Sequence, residues 1–162
     1  MDIPVRLVRE GALLPCRAYD HDAAFDLFAA AAATLAPQQR TVVATGIALG
    51  LPPDMAAFTM PRSGLAARHG ITIVNAPGLI DPGYRGEVQI VLLNTDLERA
   101  FEVHVGDRIA QLLFVSLTPV SLTLVDRLDE TVRGQRGFGS SGGNASPAAG
   151  GRAGSTPSVA EN

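Results

Sequence analysis

Hydrophobic and polar positions alternate along this chain at the two-residue period of β-structure, in segments only a few residues long. Pro4–Arg9 alternates, with Val5, Leu7 and Arg9 on one face and Arg6 and Val8 on the other. Arg40–Leu51 is rich in Val, Thr and Ile and is interrupted by Gly46. Met55–Met60 follows a Pro-Pro-Asp turn, and Ile71–Val74 is β-branched. Glu87–Leu93 reads as a buried strand entered from a turn. Arg108–Val115 and Val120–Val125 follow as further strands, separated by Pro119. Turn signals of the PPD, PG and GD type recur at short intervals, which is the all-β pattern. Ser63–His69, with Leu65, Ala66 and Ala67, predicts one short helix. Many short strands in one domain point to a jelly roll or a partly closed barrel.

The patterned part runs from Met1 to about Val132. Beyond Arg133 glycine dominates, and the last stretch, GNASPAAGGRAGSTPSVAEN, holds almost no large apolar residue and cannot build a core. The expected organisation is therefore a β core over 1–132, a glycine-rich motif over 133–142 and a flexible low-complexity tail over 143–162.

Composition narrows the function classes. A chain of 162 residues with 46% apolar content can bury one sizeable core. Lys and Arg number 13 against 16 Asp and Glu, a net charge of -3. A duplex-binding protein normally carries a basic excess, so nucleic acid is not an expected partner. A small polyanion stays compatible, because a few local arginines suffice. Cys16 is the one cysteine, which excludes an internal disulfide and a cysteine metal cluster and fits a reducing, cytoplasmic setting. MDIPVRLVREG has no apolar signal core. AAFDLFAAAAATLA carries Asp26 and is too short to span a bilayer, so it reads as a buried strand and a small-residue turn, with no membrane partner.

Three stretches are chemically unusual for plain β-structure. Pro61-Arg62-Ser63-Gly64 leads into the predicted helix. It reads either as a phosphate cradle, with a hydroxyl, free backbone N–H groups and an arginine fork, or as a simple serine N-cap. Asn75–Glu87 joins two strands and carries two Pro-Gly pairs, a rigid loop that lets a ligand approach the backbone. Within it Asp81 reads either as the residue opening the Pro82-Gly83 turn or as a general base partly shielded by Leu79 and Ile80. Arg133–Gly142 reads either as a basic linker or as a lid, whose Arg, Phe and Ser side chains suit phosphate and a stacked base.

Taken together and in order, these segments resemble the five motifs of the trimeric dUTPase family. Ala24-Phe25-Asp26-Leu27 resembles the first, Pro61–Gly64 the second and Asn75–Glu87 the third. Gly106-Asp107-Arg108-Ile109-Ala110-Gln111-Leu112 resembles the fourth and Arg133–Gly142 the fifth. Five matches in order make a far more specific signal than any one of them.

The resemblance implies an all-β, distorted jelly-roll-like barrel of the beta-clip type with one short helix. It also implies a homotrimer whose active sites are shared between subunits. The implied reaction is hydrolysis of dUTP to dUMP and pyrophosphate. Asp81 would activate the water and lie near the sugar 3'-hydroxyl, and Gln111 would lie near the α-phosphate and the water. Tyr84 would pack on the deoxyribose, leaving no room for a 2'-hydroxyl. Asn75, Leu79, Ile80 and Gln89 would meet the uracil. Arg62, Ser63 and Gly64 would hold phosphates. From the fifth motif, Arg133 would grip the triphosphate, Phe138 would stack on uracil, and Gly139 and Ser140 would close on the substrate, with Ser140 at the γ-phosphate. Asp26 would order waters around Mg²⁺, which is carried mainly by the triphosphate, as suits a cation that keeps water and phosphate oxygens in preference to a protein cage. His21, His69 and His104 are scattered and are not expected as ligands.

Two departures stand out. Ala24 replaces a usual glycine, which could shift Asp26, and Arg136 replaces another, adding charge and stiffness to the lid. A rival of the same fold, dCTP deaminase, has Arg-Ser-Ser at the second motif and needs a glutamate where this chain has Val91. A second rival is a regulatory protein that uses the trimer as a scaffold, against which Asp81 and Gln111 stand.

Overall fold

The structure, a computed structural model, describes residues 1–136. Among them are eleven strands and one helix. In chain order these are β1 (Val5–Leu7), β2 (Phe25–Phe28), β3 (Ala33–Leu35), β4 (Arg40–Ala44), β5 (Ile47–Leu49) and β6 (Met55–Met60). There follow α1 (Ser63–His69), β7 (Ile71–Ile73), β8 (Gly78–Ile80), β9 (Gln89–Asn94), β10 (Phe101–Val103) and β11 (Arg108–Ser116).

Every pairing between these strands is antiparallel. One sheet has the order β2-β11-β6-β8 and another β4-β9-β7, while β1 pairs with β5 and β10 with β3. Alternation explains the layering. Along β9 Ile90, Leu92 and Asn94 turn inward while Gln89 faces out. Leu27, Leu35, Val43, Ile47, Ala57, Ile71, Ile80, Leu92, Val103 and Leu112 belong to one core cluster. Every strand from β2 to β11 thus reaches the same interior, and β1 adds the partly buried Val5. Short sheets wrapped on one core are the jelly-roll-like arrangement that strand spacing predicts.

The unit formed by Met1–Ser121 holds all of these elements. In residues 122–136, which belong to a separate unit, Gly134 N–H donates to the Thr131 carbonyl at 3.0 Å, and Arg133 and Arg136 each donate from Nε to the other's carbonyl.

The helix has the predicted bounds, but Ser63 is not its cap. Arg62 occupies the N-cap with an extended backbone and no side-chain cap bond, and Ser63 is the first helical residue. Gly70 ends the helix in the left-handed conformation, where glycine carries no Cβ penalty. Gly46 divides the long Arg40–Leu51 segment into β4 and β5, as its place in the pattern predicts. β8 and β10 were not expected. The expected strand Val120–Val125 is not formed, and Leu122 and Leu124 are 99% and 97% exposed. A strand needs a partner for its N–H and C=O groups as well as an alternating face, and this segment pairs with none among the described residues.

Candidate active site

The segment between β8 and β9 bridges the two larger sheets, because β8 pairs with β6 and β9 pairs with β4 and β7. Beneath it lies a cleft of about 340 Å³. Asn75, Leu79, Ile80, Asp81, Tyr84 and Gln89 all line it, joined by Val42, Thr59, Glu87 and Val91 among others. The wall is mixed: valines and Ile80 supply apolar surface, and Asn75, Gln89 and backbone groups supply donors and acceptors. Such a cleft suits a flat, partly polar ring. Gly78 admits close approach here, since a Cβ on it would collide with the Thr59 hydroxyl.

The geometry bears directly on the turn reading of Asp81. Tyr84 N–H donates to the Asp81 carbonyl at 3.1 Å, which closes a turn through Pro82 and Gly83. That bond uses the backbone, and among the described residues the Asp81 carboxylate accepts no hydrogen bond. The apolar shielding expected from Leu79 and Ile80 is not found within one chain, where Asp81 and Leu79 are both exposed and only Ile80 is buried. Tyr84 donates from its hydroxyl to the Glu87 carbonyl at 2.9 Å, which holds the ring across Gly86.

A second cluster forms elsewhere on the same unit. Asp26 on β2 is buried. It accepts from Arg62 Nε at 3.0 Å and lies 3.5 Å from Arg108 Nε. Arg62 also donates to the Arg108 carbonyl at 3.3 Å. Gln111 on β11 sits opposite both Asp26 on β2 and Met60 on β6. Two guanidiniums flank the Asp26 carboxylate, and arginine forks match phosphate. Arg62 and Arg108 line a cavity of about 360 Å³ with Leu65, Phe101 and Asp107. Asp26, two residues after Ala24, is held by its backbone. Its N–H donates to the Cys16 carbonyl at 2.7 Å, and its backbone stays in register with Gln111.

The predicted residues are thus brought together in two sets. The third-motif set shares the cleft, and residues of the first, second and fourth motifs share the arginine cluster. The two cavities have no lining residue in common. Ser63 and Gly64 open α1 next to Arg62. Arg133 is exposed in the separate 122–136 segment, while Phe138, Gly139 and Ser140 lie outside the described residues.

Sequence reasoning missed one ion pair at the cleft. Arg9 donates from Nε and Nη2 to the two Glu87 carboxylate oxygens at 2.5 and 2.7 Å, and Gly46 N–H donates to Oε1 at 2.9 Å. The Arg9 hydrogen bond above all, then the Gly46 N–H and the Arg9 charge, hold the Glu87 carboxyl below the ordinary carboxylate range against the opposing effect of burial. Arg9 and Glu87 are 78 residues apart, so no local pattern announces their contact.

The fit to a divalent cation is limited. Among the described residues no group of three His, Cys, Asp or Glu side chains is placed to hold a metal. Asp26, the buried carboxylate of the arginine cluster, already engages two arginines. These residues fit Mg²⁺ only through intervening water, with the ion brought on an oxygen-rich ligand.

The structure is thus a wrapped antiparallel β domain with a mixed apolar and polar cleft in one place and an arginine–carboxylate cluster in another. The dUTPase family model matches residues 10–142, and the chain belongs to the dUTPase family. It is 51% identical over 138 residues to the deoxyuridine 5'-triphosphate nucleotidohydrolase of Tropheryma whipplei (strain Twist), a match covering 85% of this chain and 94% of that one. It is 50% identical over 141 residues to the protein of the same name from Mycobacterium tuberculosis (strain ATCC 25177 / H37Ra), covering 84% of this chain and 92% of the relative. Among solved structures, the dUTPase of Staphylococcus bacteriophage 80alpha with dUpNHpp aligns at a TM-score of 0.81 and 27% identity, over 87% of this chain and 98% of that one. A mutant dUTPase from phage phi11 of S. aureus, described for its coordination of a structural Mg(II) ion, aligns at 0.75 and 25% identity, over 80% and 100%. The jelly-roll-like reading of the strand pattern agrees with these matches.

Proposed function

We propose that this chain hydrolyses dUTP to dUMP and pyrophosphate, removing a source of uracil in DNA and supplying dUMP for thymidylate synthesis. The observation that carries the reading is the gathering of Asn75, Leu79, Ile80, Asp81, Tyr84 and Gln89 in one cleft, in a chain of the dUTPase family. Asn75, Gln89 and the backbone of Leu79 and Ile80 read the uracil edge. Tyr84, tied to Glu87, packs on the deoxyribose where a 2'-hydroxyl would stand. Val91 lines the cleft where a deaminase needs a proton-transferring glutamate, which favours phosphate chemistry over attack on the base.

Arg62, Arg108, Ser63 and Gly64 receive the triphosphate, and Asp26 aims the two guanidiniums. Asp81 takes a proton from water as the water oxygen attacks the α-phosphorus. The bond from that phosphorus to the bridging oxygen breaks, and pyrophosphate leaves. Gln111 positions the water and the α-phosphate. Positioning and charge neutralisation supply most of the catalysis in such transfers. Asp26 would hold Mg²⁺ only through water, and the ion would supply further charge neutralisation when brought in on the triphosphate.

One nucleotide must meet both sets of residues, yet on one chain they line different cavities. A second copy supplying the arginine cluster to the cleft resolves this, which supports a homotrimer with shared sites. The exposed Val42, Val74 and Leu79 provide apolar surface for such an assembly. The 133–142 segment acts as the lid, with Arg133 on the triphosphate, Phe138 on uracil, and Gly139 and Ser140 closing at the γ-phosphate; 143–162 remains a tail outside the chemistry. The setting is cytoplasmic, with neither nucleic acid nor membrane as partner. Among the described residues no helix is long and apolar enough to cross a bilayer.

Pyrophosphate release from dUTP, UTP, dTTP and dCTP with Mg²⁺ tests the reading. Turnover of dUTP alone is expected; ammonia release from dCTP, or no turnover of dUTP, overturns it.

A further inference from the structure

Glu87 lines the cleft, and its pair with Arg9 lies where three separate parts of the chain meet. Residues 87 and 88 are fastened to the corner between β4 and β5. Val88 N–H donates to the Ile47 carbonyl at 2.8 Å, and the Val88 carbonyl accepts from the Thr45 hydroxyl at 2.5 Å. Gly46 N–H reaches the Glu87 carboxylate from that same corner. Arg9, just beyond β1, closes the other side with a two-pronged grip, while the Glu87 side chain is only 16% exposed. Tyr84, in turn, is held by the Glu87 carbonyl, and Gln89 leaves the same point to begin β9.

This connectivity gives the pair a role that charge at the surface would not have. Everything between β8 and the Glu87–Val88 anchor, including Asp81 and Tyr84, is exposed or partly exposed turn. Its orientation over the cleft is set by its two ends, the β6–β8 pairing at one and the Glu87 anchor at the other. Loss of the Arg9 fork leaves a largely buried carboxylate with the Gly46 N–H as its remaining strong donor and lets the second end turn. Paired charge-assisted bonds fix direction as well as distance.

We infer that Arg9 and Glu87 form a positioning clamp for the nucleoside half of the site, acting on affinity for sugar and base through Tyr84 and Gln89 and not on the phosphate-binding arginines. The inference rests on the reading of the cleft as the nucleoside site. It assigns specificity-supporting work to a residue outside all five motifs.

The test compares product inhibition of the full-length protein by dUMP and by pyrophosphate in wild type, Arg9→Ala, Arg9→Lys and Glu87→Gln. For Arg9→Ala the dUMP inhibition constant and KM for dUTP rise about tenfold, the equivalent of one charge-assisted bond, while the pyrophosphate constant stays within about twofold. Arg9→Lys, which keeps the charge but loses the fork, falls between the two, and Glu87→Gln shows the same split as Arg9→Ala. Melting curves show which variants are folded. If Arg9→Ala does not fold, the split must appear in Arg9→Lys. Equal weakening of dUMP and pyrophosphate would mean general loosening, and unchanged dUMP inhibition would mean an inert ion pair; either overturns the inference. Wild-type protein that binds dUMP and turns over dUTP but shows no split in its variants refutes the clamp alone, whereas wild type without turnover refutes the functional reading beneath it.

Discussion

Gly46→Ala should be one of the most damaging one-carbon changes this protein can suffer. Gly46 has φ of 70°, in the region where an L side chain is penalised by about 1–2 kcal/mol. A Cβ there would lie 2.5 Å from the Ala12 Cβ and 2.9 Å from the Ala30 Cβ. Both neighbours are methyl groups fixed directly to backbone, so neither can rotate aside, and overpacking of this kind costs about 1–3 kcal/mol. The reduced freedom of the unfolded chain returns about 0.4–1 kcal/mol. The net loss is about 1–5 kcal/mol, a large part of the 5–15 kcal/mol that holds a typical domain together, and the middle of that range corresponds to a Tm lower by about 10 °C. The assay is thermal unfolding by circular dichroism at one protein concentration, because assembly makes Tm depend on concentration. Gly83→Ala is the control, since a Cβ there meets nothing within 4 Å. A Gly46→Ala Tm within about 3 °C of wild type would refute the argument, by showing that the β4–β5 corner moves at little cost.

Three further outcomes follow from the same geometry. Asp81→Asn keeps dUTP binding, measured by calorimetry, but loses about 10²–10⁴ in kcat, because it removes a proton acceptor and leaves the turn carbonyl in place; near-normal turnover would remove Asp81 from the role of base. Glu87 is held below its ordinary value of 4.5, so its contribution to stability is complete above that value and disappears as pH falls through the lower, folded value. Urea unfolding should therefore show wild type more stable than Glu87→Gln at neutral pH, with the two converging in acid, and a constant difference down to low pH would contradict this sign. A chain ending before Arg133 keeps every strand and the helix, so it should retain the wild-type far-ultraviolet spectrum while losing dUTP turnover; normal turnover would dismiss the lid.

The strands legible in the sequence are those whose one-sided burial writes itself into alternation, as in β6, β9 and β11. Gly46 was legible as an interruption, and the reason for it, two alanine methyls from distant segments, was not. β8 escaped notice because three residues between Pro77 and Asp81 cannot show a period, and the strand exists through its pairing with β6, where Ala57 meets Ile80 and Thr59 meets Gly78. The opposite error at Val120–Val125 has the same root. Its alternation is good, but hydrogen-bonded pairing is a property of two segments and the pattern describes only one. Asp81 was ambiguous for a different reason: a turn and a general base ask for the same residue in the same place. The structure shows the turn, closed on the Asp81 carbonyl, and the role of the carboxylate belongs to the proposed function.

Order along the chain singled out the candidate site residues but carried no information about how they are partitioned. Asn75 to Gln89 form one continuous stretch and fold back on one cleft. Asp26, Arg62 and Arg108 come from three stretches and meet because β2, β6 and β11 are neighbours in one sheet. Among the described residues the cleft is lined by no arginine, and the arginine cluster lines a separate cavity, so the proposed function needs the two sets brought together. That division argues for assembly more directly than any exposed apolar face. On the proposed reading, the exposed Asp81 of one chain would be covered by the arginine cluster of a second copy in the shared site.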